Sequence, residues 1–111
     1  MRWTAIAGSW HKINQEIEAK IRQTVKEIMG RGDGIVSGGA LNVDFVALDE
    51  ALKYDSKAAR IKIFLPTTLE KYSEQYRRHA RLGNIGSDQA EALIFQLANL
   101  KRINSAALIE N

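Results

Sequence analysis

Two short apolar runs in this chain each end in a glycine turn and pass directly into a segment with helical spacing, and this restricts the fold more than any other feature. Trp3-Thr4-Ala5-Ile6-Ala7 stops at Gly8-Ser9, and Ile35-Val36-Ser37 stops at Gly38-Gly39-Ala40. Apolar runs this short, bounded by turn residues, read as buried strands. After the first turn, from about His11 to Met29, the residues Ile13, Ile17, Ile21, Val25 and Ile28 recur at helical spacing. Glu16 with Lys20 and Glu18 with Arg22 form i,i+4 pairs on the solvated side of that helix. The Gly30 to Gly34 stretch stops it. After the second turn a helix is predicted to about Tyr54, and its apolar residues lie on more than one side, so it is the more buried of the two.

The same alternation continues. Ile61-Lys62-Ile63-Phe64-Leu65 is a third strand closed by Pro66, and Thr67 followed by Glu70 has capping-box spacing for a helix through about Arg81. Tyr72 and Tyr76 belong to its packed stripe. A turn at Gly83-Asn84-Ile85-Gly86 precedes another helix, started by Asp88 with Glu91, and Ala106-Ala107-Leu108-Ile109 begins a fourth strand. Strands alternating with helices predict an α/β fold: a Rossmann-like three-layer α/β/α arrangement with a mainly parallel sheet of about four strands and right-handed crossovers. With 111 residues, 45% of them apolar, the chain suffices for one core and is too short for two, so residues 1–111 are expected to form a single domain.

The absence of cysteine excludes disulfides and thiolate metal sites and suits a reducing, cytoplasmic setting. The first eight residues lack a signal-peptide pattern, and no apolar run approaches the roughly 20 residues that span a bilayer, so no membrane partner is expected. The net charge of +3 is spread among alternating acids and bases, which ranks nucleic acid below a small molecule as partner. Exposed strand edges predict a homo-oligomer.

In a parallel α/β sheet ligands lie beyond the carboxyl ends of the strands, where the two glycine turns are placed. Glycine lets backbone N–H groups approach an anion, and a helix N-terminus adds a favourable dipole. The expected binding set is therefore Gly8, Ser9 and Trp10 from the first turn, and Ser37, Gly38, Gly39, Ala40 and Asn42 from the second. The hydroxyls of Ser9 and Ser37 and the Asn42 amide add polar contacts, and Trp10 offers a ring for stacking. Arg77 and Arg81, one helical turn apart, can grip a phosphate. Each feature has a structural alternative: glycine for a tight turn, Trp10 as a hinge residue, the arginines as a solvated basic helix end. Neither a Walker lysine pattern nor GxGxxG is present. Neither His11 nor His79 has a carboxylate or a second histidine at metal-ligand spacing in the sequence, so no metal and no cofactor is expected.

Gly8-Ser9, followed by Ser37-Gly38-Gly39-Ala40-Leu41-Asn42-Val43-Asp44 with Ala47 and Ala51 behind it, resembles the SLOG superfamily. That group includes the Rossmann-like domain of DNA-processing protein A (Smf), the LOG-type phosphoribohydrolases and small nucleotide-sensing proteins. The resemblance covers about Trp3 to Pro66 and departs from the family at Asn42, where glycine is usual. It implies a pocket for a nucleotide or nucleotide-derived phosphorylated ligand, with Asp44 fixing the second turn or touching a ribose. Capping of its own helix is the alternative role for Asp44. The related domains continue into a further strand, a second glycine-rich turn and, in the phosphoribohydrolases, the catalytic glutamate. By this resemblance the domain is C-terminally incomplete, and no catalytic residue is assigned. Two other functions stay open: N-glycosidic hydrolysis or deoxyribosyl transfer, with Asp44 and Glu74 as the available carboxylates, and single-stranded DNA binding as in DNA-processing protein A.

Overall fold

The structure, a computed structural model, describes residues 1–8 and 12–111. Among them the order is β1 (Trp3–Ile6), α1 (Gln15–Gly30), β2 (Gly34–Gly38), α2 (Val43–Tyr54), β3 (Ile61–Phe64), α3 (Leu69–Arg81), α4 (Ser87–Ile103), a 3-10 turn (Ser105–Ala107) and β4 (Leu108–Ile109). The fold is α/β, as the alternation predicts: four parallel strands in the order β1-β2-β3-β4 with four helices. This is a Rossmann-like α/β arrangement with the parallel four-stranded sheet that the alternation predicts.

Local chemistry sets the helix ends. Asn14 begins α1, its side chain accepting from the Ile17 N–H at 2.8 Å. Gly30 is the last helical residue; Gly32, at φ +83°, is the glycine that takes the left-handed conformation beyond it. The Arg60 guanidinium donates to the carbonyl oxygens of Met29 and Asp33, at 3.1 and 2.6 Å, fastening the exit of α1 to the entry of β3. Thr68, rather than Thr67, caps α3, and its hydroxyl accepts from the Lys71 N–H at 3.3 Å. α4 starts after Gly86, whose N–H donates to the Gln89 side chain at 2.8 Å.

The register aligns Thr4, Ile35 and Ile61 in one row and Ile6, Ser37, Ile63 and Leu108 in the next. These rows face the helices. Ile35, Ile61 and Ile63 are buried against Val25 and Ile28 of α1, Leu48 and Ala51 of α2, and Leu93, Leu97 and Leu100 of α4. Each crossover moves one strand further in the same direction, so right-handed connections bring their helices to one face; α1 packs on α2, α2 touches α4, and α4 carries α3. The alternate residues Trp3, Ala5, Lys62 and Phe64 occupy the other face and are exposed, Trp3 at 38% and Phe64 at 48%. Of the layers a Rossmann-like plan allows, the chain covers one sheet face.

Candidate functional site

The carboxyl ends of β1 and β2 meet at Ser37, whose hydroxyl donates to the Ile6 carbonyl oxygen at 2.7 Å. This bond joins the starts of the two glycine turns. Gly8 closes the first turn against the beginning of α2: a Cβ at that position would stand 2.6 Å from Val43 Cγ2. The described end of the first turn, Gly8, therefore lies against the start of the helix that follows the second turn. Ser9 and Trp10, expected to contribute here, lie outside the described residues, as does His11.

In the second turn glycine has a packing function. A Cβ on Gly39 would come within 2.5 Å of Leu65 Cδ2 and 3.2 Å of Leu97 Cδ1, so this turn is seated directly on the core. The Tyr72 hydroxyl donates to the Gly39 carbonyl oxygen at 2.9 Å, and burial pushes that phenol well above the usual range. Asn42 has φ 65° and ψ −99°, a backbone conformation in which a side chain is strained, and its carbonyl accepts the first bond of α2 from Val46. Glycine is the residue that geometry favours.

Asp44 sits in the first turn of α2 and is only 5% exposed. Its Oδ2 accepts from the Ala40 N–H at 3.3 Å, so the carboxylate folds back on the glycine turn and occupies a donor that a bound anion would need. The Ser37 hydroxyl lies beside it, with its hydrogen committed to Ile6. Oδ1 is buried and has no hydrogen-bond partner among the described residues. Burial raises the Asp44 pKa above the usual carboxylate range, and the Ser37 and Ala40 contacts only partly oppose it. An acceptor of this kind attracts donors and repels phosphate.

The arginines separate. Arg77 forms a fork with Glu91, Nε to Oε2 at 2.9 Å and Nη2 to Oε1 at 3.0 Å, and so faces α4 rather than the turns. Arg81 instead lines an open groove of about 520 Å³ with Lys71, Glu74, Gln75 and Arg78. Glu74 lies there too, not beside Asp44. Gln75 also borders a neighbouring cleft of about 320 Å³ formed with Tyr72, Tyr76 and His79. Tyr72 links this aromatic cleft to the Gly39 turn, its ring 5.0 Å from that of Tyr76 in an edge-on arrangement.

Lys71, Gln75 and Arg78 were not among the residues the sequence singles out. Lys71, Arg78 and Arg81 are basic residues at i, i+7 and i+10, and Gln75 stands at i+4, a spacing that places all four along one side of α3. A third cavity, of about 240 Å³, opens beside Asn42 and Phe45 and is bordered by Arg22 and Gln89. Arg22 there is held by Glu18, Asp49 and Glu50 at 3.2, 2.8 and 3.0 Å, an arrangement that stabilises the α1–α2 contact. No protein-family model, no curated protein and no solved structure matches the chain.

Proposed function

We propose that the carboxyl edge of the sheet binds a nucleotide or nucleotide-derived phosphorylated ligand. The observation that carries this reading is Asp44, a buried carboxylate with one oxygen unpartnered among the described residues, folded back on the second glycine turn. A buried polar atom left unsatisfied costs on the order of 1–3 kcal/mol, and such groups concentrate where a ligand completes the hydrogen bonding. The ligand group that suits an acceptor is a donor, and ribose hydroxyls are donors. The aromatic cleft of Tyr72, Tyr76 and His79 suits a planar base, and the cations Lys71, Arg78 and Arg81 suit phosphate.

The test is a thermal-shift screen with nucleoside monophosphates, cyclic nucleotides and ADP-ribose. A ligand at 100 times its Kd adds about 2.7 kcal/mol to the folded state, on the order of 10 °C for a chain of this size. Binding that is lost in Asp44→Asn and weakened in Arg81→Ala supports the proposal. No shift with any of these ligands at millimolar concentration, or a shift that Asp44→Asn leaves intact, overturns it. Gly39→Asp does not serve as a probe, because its side chain would collide with Leu65 and Leu97 and unfold the turn.

A further inference from the structure

Because β1 is the first strand in the sheet order, one of its edges has no neighbouring strand among the described residues. Trp3 stands opposite Gly34, whose N–H donates to the Arg2 carbonyl at 2.9 Å. In a parallel pair with this register, Thr4 and Ile6 direct their backbone groups toward β2, and Trp3 and Ala5 direct theirs to the open edge. Both sides of that edge are largely apolar, each with one lysine beside it. On the helix side an open groove of about 340 Å³ runs along it, lined by Ile6, Ala7, Ile17, Ile21 and Val43 together with Lys20 and Thr24, and Ile17 is 44% exposed. On the other side lie Trp3, Ala5 and Phe64, with the Lys62 ammonium 4.4 Å from the centre of the Trp3 ring.

We propose that this edge is a homodimer interface in which β1 of a second copy pairs antiparallel with β1, extending the sheet across a two-fold axis. A strand that fits the edge is small or apolar on both faces and carries no positive charge to meet Lys20 and Lys62; β1 itself, Trp-Thr-Ala-Ile, has that character. Antiparallel pairing through the outward groups of Trp3 and Ala5 puts the two-fold at Thr4 or at Ala5, both small enough to face their own symmetry mates. The charges agree with it. The outer row of α1 carries Glu16, Lys20 and Glu27, all exposed, with an acid on either side of the lysine, a pattern that lets a reversed copy set lysine against acid. An isologous contact of this kind closes after two copies, whereas β1 against the outer edge of β4 would leave an unused edge at each end and polymerise.

Sedimentation velocity of the full chain across micromolar to hundreds-of-micromolar concentration tests the proposal. The expected result is a concentration-dependent species of twice the chain mass. Ala5→Pro deletes an outward N–H and no bond to β2, and Ile17→Lys puts a charge into the exposed groove; each is expected to raise the dimer dissociation constant at least about tenfold, a loss of 1.4 kcal/mol. Circular dichroism melts show whether either variant has lost its fold; if the proline has, the lysine decides. A wild-type chain that stays monomeric throughout, a dimer that survives in the folded variants, or a mass that grows beyond two copies with concentration overturns the interface.

Discussion

The Tyr72 hydroxyl donates to the Gly39 carbonyl oxygen at 2.9 Å, a buried bond between residues 33 positions apart in the chain. It fastens α3 over the second glycine turn, so the aromatic cleft and the turn form one rigid edge. Tyr72→Phe keeps the ring and removes the donor, leaving a buried carbonyl without this partner. Its expected cost is about 1–2 kcal/mol, measured as a lower urea midpoint with an unchanged m-value. A midpoint equal to that of the native chain would show that the turn does not depend on this bond.

Asp44 makes stability depend on pH in a definite direction. Its pKa in the folded chain is raised by burial, above the unfolded value near 3.8. Between those two values the folded state holds more protons than the unfolded state, so stability falls as pH rises through this window and stays at the lower level above it. Asp44→Asn has no such proton to lose. The variant is expected to be more stable than the native chain at pH 7. That advantage is expected to vanish below about pH 4. Urea titrations at several pH values check both the sign and the window. The stability gained would come with the loss of ligand binding, the usual exchange at a functional site.

Asn42 tests the backbone of the same turn. At φ 65° and ψ −99° glycine meets no Cβ penalty, whereas a β-branched residue meets the full one. Asn42→Val is expected to be less stable than the native chain by about 2 kcal/mol, and Asn42→Gly to melt above Asn42→Val. Thermal melts of the three proteins give the order, and a valine variant that melts with the native chain would contradict the strain.

The glycines divide by their neighbours. Gly39→Ala drives a methyl to within 2.5 Å of Leu65 Cδ2 and is expected to cost about 1–3 kcal/mol. Gly30→Ala, at the end of α1 with nothing within 4 Å of the added carbon, is expected to stabilise by about 0.5 kcal/mol. Differential scanning calorimetry of the two single variants separates them, and equal shifts would mean that packing at Gly39 is looser than the structure has it.

The sequence by itself determined the elements and their class. Apolar runs ending at Gly8 and Gly38 and the helical spacing of Ile17, Ile21, Val25 and Ile28 are local patterns, and the strand-helix alternation they spell leads to a parallel sheet. Boundaries moved where a neighbouring side chain made the better cap, as at Asn14 and Thr68. The tertiary structure decided the rest. Arg77 and Arg81 are one turn apart in sequence, but Glu91 of α4 takes the first and leaves the second in a groove with Lys71 and Arg78. Gly39 looks in sequence like an anion cradle and is occupied in space by Leu65, Leu97 and Tyr72. Asp44 reads as a helix cap or a ribose contact; only the fold buries it against Ala40 and leaves Oδ1 unpartnered among the described residues. Helical period and turn chemistry act between residues a few positions apart and are written along the chain; burial, desolvation and ion-pair choice depend on neighbours that only the folded packing brings together.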